Sequence, residues 1–292
     1  MEFARTHNPK SFRDYECKAG IVRETMGDRI AENIKPQEID RWLTNHCKTP
    51  GTSNRYKSFF SLVYREAMRN GKAEVNPARL VQQRKEPSGR LRFLSREEYK
   101  RLLAAISRRC REHRAEFVVS VHTGMRLTEQ YSCKWSQVDL DRRAIELPKT
   151  KNSSPRTVHL NADAVAAIKS VRKPRQSIFA SVFPREDSKG RYDTRSWFEP
   201  CLEEAEITGY VWHCNRHTFC SWLAMAGATI KEIQVAAGLK TITMAARYAH
   251  LSPEHSLSVV DRISSAAPAK PQALRGQNMH QNMHQRKATI LP

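Results

Sequence analysis

The sequence predicts a mainly α-helical chain with one small antiparallel β-sheet, an α+β protein in two units. Three observations predict it. Apolar residues recur at helical spacing through much of the chain. Two short alternating segments flank a turn-forming stretch in the second half, and Glu86-Pro87-Ser88-Gly89 interrupts the pattern with linker composition.

The first unit is placed at residues 1–86. QEIDRWL follows Pro36 and sets Ile39, Trp42 and Leu43 on one helical face. After the turn-forming KTPGTS, residues Tyr56, Phe59, Phe60, Val63 and Ala67 recur at i, i+3, i+4, i+7 and i+11, the apolar stripe of an amphipathic helix. Asn70-Gly71 ends it and Asn76-Pro77 blocks continuation. The other face carries Arg65 and Arg69, flanked by Arg55 and Lys57. Such a face is ordinarily just solvated; in a basic chain it is also a candidate for contact with phosphates.

Residues 87–94 read as the linker. Ser95 with Glu98 three positions on forms a capping box, so SREEYKRLLAAI opens a helix with Leu102, Leu103 and Ile106 as its stripe. RAIELP reads as a strand, RTVHL as its partner and KTKNSSP as the turn between them. Helical patterns return around residues 161–171, 213–227 and 241–250, and the second unit is placed at 95–262. Residues 263–292, with Pro268, Pro271 and the tandem QNMHQNMH, lack an apolar period and read as a disordered tail. Two histidines there, His280 and His284, do not make a metal site by themselves.

Composition narrows the function. The 292 residues include 50 Lys and Arg against 30 Asp and Glu, a net charge of +20. The excess is shared, +8 up to residue 94 (19 basic, 11 acidic) and +12 beyond it (31 basic, 19 acidic). A basic tail on a neutral body would not look like this; a chain basic throughout expects a polyanion, most often nucleic acid. No apolar run approaches the roughly 18 residues of a membrane span, and MEFARTHNPKSFRDYE lacks the apolar core of a signal peptide. The seven cysteines are scattered without a CxxC pair, which supports neither a zinc ribbon nor a disulfide framework and points to a reducing, cytoplasmic setting.

Four segments of the second unit carry the chemistry: HTGMRLTEQ, TKNSSPRTVHL, HCNRHTF and GLKTITMAARYAHL. Taken singly, each has a bland explanation. Arg126 follows a glycine turn, Lys151 lies at a loop tip, His213 and Arg216 are i, i+3 neighbours, and Tyr248 is one of eight tyrosines. In order and spacing, however, they resemble the tyrosine recombinase (phage integrase) family. The glycine-arginine box matches at Gly124, Arg126 and Glu129; the β-hairpin lysine at Lys151, seven residues before Val158; the HxxR box at His213 and Arg216, followed by His217, Thr218 and Phe219; and the terminal box at Arg247, Tyr248, Ala249, His250 and Leu251.

The resemblance implies a two-domain DNA clamp, with a helical core-binding (SAM-like) domain ahead of a catalytic domain. It implies double-stranded DNA as partner, assembly of copies of the chain as a tetramer on paired sites, and no metal or other cofactor. By the same resemblance, Tyr248 would attack a phosphodiester and stay joined to the DNA 3′ end. Lys151 would protonate the departing 5′ hydroxyl and His213 would assist proton transfer. The residue types suit these tasks. Arg126 and Arg216 are permanently charged forks that can hold non-bridging oxygens bidentately and stabilise the more negative transition state. A phenol with a pKa of about 10 attacks only once positioned and relieved of its proton. Glu129 would support the site rather than react. The phosphotyrosyl ester conserves the energy of the bond, so rejoining needs no ATP.

Some positions depart from the family pattern. Leu239 follows Gly238 where the family usually has His or Trp, Cys214 and Asn215 replace the usual acidic and apolar residues, and Ala245 stands where threonine is common. Leucine cannot donate to a phosphate, and losing one charge-assisted hydrogen bond costs roughly 1.5 to 3 kcal/mol. A buried amide at Asn215 needs partners. Three readings follow: an active site-specific recombinase, a DNA-binding remnant that no longer cleaves, and, weakest, a relaxing enzyme of the type IB topoisomerase kind. After Tyr248, the segment with Leu257, Val260 and Ile263 at near-helical spacing is either a core helix or one that packs on a neighbouring copy. Cys214 and Cys220 read as space-filling.

Overall fold

A computed structural model describes residues 2–7, 9–87, 91–148, 155–184 and 194–252. Lys151, the segment after Ser252 and the tail therefore lie outside the described residues. The chain divides into two compact units, residues 1–90 and 91–292.

The first unit is helical: α1 (Glu2–His7), α2 (Phe12–Met26), α3 (Pro36–His46) and α4 (Pro50–Arg69). Proline opens both α3 and α4, where its missing N–H costs nothing. Thr49 caps α4 by accepting from the Thr52 N–H at 3.2 Å. The core gathers Ile39, Trp42, Leu43, Phe60, Tyr64 and Ala78. One expectation is corrected here. Val63 is 48% exposed, and the stripe is completed instead by Tyr64, 5% exposed, whose hydroxyl donates to the Ala31 carbonyl at 2.8 Å. Tyr64 can be buried because its ring packs in the core while its hydroxyl keeps a partner, and this turns the face by one position from Val63.

The second unit contains α5 (Arg96–Arg109), α6 (Arg114–Thr123), α7 (Leu127–Ser132), β1 (Val138–Asp139), β2 (Ala144–Leu147) and β3 (Arg156–His159). Beyond them come α8 (Ala162–Val171), α9 (Arg195–Glu204), α10 (Cys214–Met225), α11 (Ile230–Ala237) and α12 (Ile242–Ala246). The sheet runs β1-β2-β3, antiparallel, with Ile145 opposite Val158. The Ser95–Glu98 capping box is formed. The linker reading over 87–94 is too long at its end. Leu94 is fully buried, its N–H donates to Thr218 Oγ1 at 3.1 Å, and its carbonyl accepts from Trp222 Nε1 at 3.0 Å. Residues 91–94 thus belong to the second unit, because a polar neighbourhood conceals one fully apolar anchor.

A large core surrounds α6, which is buried on nearly every face: Phe117, Val119 and Val121 pack with Leu102, Ile106, Ile145 and Ile168. A smaller cluster joins Cys220, Ala224, Ile233, Ala237, Leu239, Ala245 and Tyr248. The pattern at 241–250 predicts one helix. The structure stops α12 at Ala246 and forms a short 3-10 turn over Ala249–Leu251, leaving Tyr248 between the two. Among the described residues, no helix is long and apolar enough to cross a membrane.

Candidate active site

The glycine-arginine box is a helix end turned into a helix start. Gly124 closes α6 at φ 60°, and a Cβ there would lie 2.4 Å from the Phe219 ring, so only glycine fits. Two residues later Arg126 caps α7. Its own N–H donates to Glu129 Oε2 at 2.8 Å and its Nη1 to Glu129 Oε1 at 2.7 Å. Arg156, the first residue of β3, adds a third donor, Nη2 to Glu129 Oε2 at 3.0 Å. Glu129 is 6% exposed. Burial by itself would raise its pKa, but the Arg126 N–H and the two guanidinium charges outweigh it and hold the carboxyl below its ordinary range.

Arg216, on the first turn of α10, is 5% exposed. Its Nη1 donates to the Gly124 carbonyl at 2.6 Å and its Nη2 to the Gly238 carbonyl at 3.3 Å. Arg126 Nη2 reaches the same Gly238 oxygen, also at 3.3 Å. The two arginines that the sequence singles out therefore converge on one oxygen atom. Burial, and after it the Arg126 charge, lowers the Arg216 pKa to about 10, which leaves it a cation at neutral pH. Arg126 keeps 35% of its side chain exposed, so one of the two forks opens to solvent.

His213 sits at the solvent-facing start of α10, and desolvation of its ring together with the Arg216 and Arg126 charges lowers its pKa. It is a neutral imidazole at pH 7 and can accept a proton. His217, one turn on and half-buried, is lowered to about 4 by burial, then by His213, Arg247 and Arg216. Tyr248 is 2% exposed, and its hydroxyl lies 2.7 Å from His217 Nδ1. Burial, with the Cys220 thiol beside it, raises the pKa of the phenol above its ordinary value. The phenol keeps its proton and donates it to Nδ1 in the tautomer protonated at Nε2.

Leu239 is 9% exposed and belongs to the same apolar cluster as Tyr248. Asn215, fully buried, has the partners its amide needs: Oδ1 accepts from the Tyr210 hydroxyl at 2.8 Å and Nδ2 donates to Ser120 Oγ at 3.1 Å. The departure at Asn215 is thereby accommodated within the fold. Cys214 and Cys220 are both buried. In the first unit Arg55, Arg65 and Arg69 are exposed and Lys57 half-buried; Arg65 and Arg69 lie 3.9 Å and 2.9 Å from Glu66. Arg55 and Arg65 also line a cleft of about 450 Å³ between α2 and α4, with Lys18 and Asp14.

Sequence reasoning missed Arg156 and gave His217 no task. The signal for Arg156 was indirect. A glutamate buried three residues after an arginine still has lone pairs to satisfy, and a second cation two residues before Val158 was within reach of them.

The Phage integrase family model matches residues 92–255, more than half of the chain. The chain belongs to the phage integrase family. It is 29% identical over 230 residues to the integrase of Salmonella phage P22, an alignment covering 73% of this chain and 57% of that protein. It is 26% identical over 268 residues to the tyrosine recombinase XerD of Caulobacter vibrioides, covering 85% and 87%. The chain thus spans little more than half the length of the P22 integrase. Among solved structures, the Tn1549 transposon integrase in complex with transposon right end DNA has a TM-score of 0.70 at 20% identity, covering 88% of this chain and 94% of that one. That likeness is one of fold: mostly helical, with a small antiparallel sheet.

Proposed function

We propose that this protein is a site-specific DNA recombinase that cleaves and rejoins DNA through a 3′-phosphotyrosyl intermediate. The observation that carries the reading is the convergence of Arg126 and Arg216 on one oxygen, the Gly238 carbonyl. Two cationic forks aimed at a neutral acceptor bind an anionic oxygen more strongly, and a scissile phosphate presents two. The Tyr248 oxygen bonds to phosphorus as its proton passes to neutral His213. The bond from phosphorus to the 5′ oxygen breaks, and Lys151 protonates that oxygen. Attack by a different 5′ hydroxyl reverses the sequence and frees Tyr248. Because the hydroxyl starts buried against His217, Tyr248 leaves that contact before it attacks.

In this reading the catalytic domain and the core-binding domain, with Arg55, Lys57, Arg65 and Arg69, clamp double-stranded DNA, and copies pair on two sites as a tetramer. Leu239 favours a second reading, a remnant that binds without cleaving, since an apolar side chain packed in the Tyr248 cluster donates nothing to a phosphate. A denaturing gel separates the two. The protein and its Tyr248→Phe variant are incubated with nicked suicide duplexes carrying the DNA that flanks its gene. A denaturation-resistant adduct only with Tyr248 supports the recombinase. Tight binding without an adduct, reversed by Leu239→His, supports the remnant.

A further inference from the structure

A third guanidinium stands behind the two that converge on Gly238. Arg156 keeps only 13% of its side chain exposed although it is charged. It is stretched between two anchors. Nη2 donates to Glu129 Oε2 at 3.0 Å, and Nη1 donates to the Ala236 carbonyl at 3.3 Å, in the last turn of α11. Its Nε is buried with no acceptor. The fork is thus oriented by its two Nη contacts and not by satisfaction of all its donors.

Each anchor leads to the arginine pair. Glu129 binds Arg126 through both the backbone N–H and Nη1, so whatever holds Glu129 holds Arg126. Ala236 lies two residues before Gly238, whose carbonyl receives both Arg126 and Arg216. Gly238 itself, at φ 61°, leaves room for Arg156: a Cβ there would meet Nε, Cδ and Cζ at 2.5 to 2.7 Å. A buried ion pair is seldom the cheapest way to fill space, since apolar groups of similar volume often do as well. Its position, linking the carboxylate of one arginine to the acceptor of both, supplies another reason for it.

We propose that Arg156 is a positioning residue for the Arg126–Arg216 pair, acting through Glu129 and the end of α11 without touching the phosphate. The inference rests on the phosphoryl-transfer reading above. Arg156 keeps Glu129 ionised, and ionised Glu129 fixes the direction of the Arg126 fork.

The test uses the full chain and Arg156→Met and Arg156→Lys variants in single-turnover cleavage of the suicide duplex made from the flanking DNA. Two substrates are compared, one with the ordinary phosphodiester and one with a methylphosphonate at the scissile position, which lacks one negative oxygen. With the phosphodiester, Arg156→Met is expected to cleave about tenfold to a hundredfold more slowly at saturating protein, with DNA affinity unchanged and partial recovery in Arg156→Lys. With the methylphosphonate, which needs less cationic stabilisation, the gap to the parent closes. The acid limb of the rate–pH profile moves upward in Arg156→Met, because Glu129 then takes a proton at higher pH. If the Met variant does not fold, the Lys variant is read on the same two substrates. Equal loss on both substrates, or no loss on either, overturns the inference while leaving the recombinase reading intact. No adduct from the parent protein overturns that reading, and the inference with it.

Discussion

Replacing Gly238 by alanine probes the backbone position on which the site converges. Two costs add. An L-residue at φ 61° loses about 1 to 2 kcal/mol to left-handed backbone strain. The new Cβ would lie 2.5 Å from Arg156 Nε, and the end of an arginine can swing away, so the second cost is that of the contacts it gives up. Those are the donation to Glu129 and the weaker one to Ala236, about 1.5 to 3 kcal/mol for hydrogen bonds to a charged group. The sum is roughly 2.5 to 5 kcal/mol, a fall in Tm of about 5 to 20 °C for a unit of this size. Gly209 supplies the control: its φ is 64°, and nothing stands within 4 Å of a Cβ there. Gly209→Ala should therefore cost the strain alone, about 1 to 2 kcal/mol. Thermal and urea melts followed by circular dichroism compare the two. In an Arg156→Ala background, the Gly238→Ala penalty should shrink to that of Gly209→Ala. Equal costs for both alanines in the parent protein would show that Arg156 does not hold the space beside Gly238.

Three further outcomes are expected. Folding lowers the His217 pKa from 6.5 to about 4, so between those values the unfolded chain binds the extra proton and acidification destabilises the fold. The loss from pH 7.5 to pH 5 is about 2 kcal/mol, and melts at the two pH values should show it shrinking in His217→Gln. Asn215→Ala should cost about 2 to 4 kcal/mol in urea melts, because the Tyr210 hydroxyl and Ser120 Oγ each lose a buried partner. A cost below 1 kcal/mol would show that this network relaxes freely. For DNA binding, the slope of log affinity against log salt should be steep on unrelated sequences, as the +20 charge requires, and should lessen by about one for each of Arg55→Ala and Arg65→Ala. A slope that neither substitution changes would remove that face from the interface.

The sequence carried much of the fold because the main elements obey strong local rules. The Ser95–Glu98 box, the Asn70-Gly71 stop and the pairing of RAIELP with RTVHL each follow from capping, turn or alternation chemistry. What escaped was set by tertiary context. A helix as deeply buried as α6 shows no polar face to mark its period. Leu94 is apolar in a polar stretch, and only its fit under Trp222 makes it core. The same division holds in the site. Ordered boxes pointed to Arg126, His213, Arg216 and Tyr248, whereas Arg156 acquires its meaning from a carboxylate 27 positions earlier and a carbonyl 80 positions later. Asn215 looked like a liability until its two partners, from distant segments, were in view.

In the proposed mechanism the Tyr248 oxygen becomes bonded to DNA phosphorus, and mass spectrometry reads that bond directly. The adduct formed on the suicide duplex is digested with nuclease and then trypsin. Cleavage after Arg247 and Arg262 releases the peptide YAHLSPEHSLSVVDR, which begins with Tyr248. A nucleotide remnant is expected on this peptide, with fragment ions that place it on the tyrosine. A remnant on any other residue, or this peptide only in its unmodified mass from a gel-verified adduct, would contradict it.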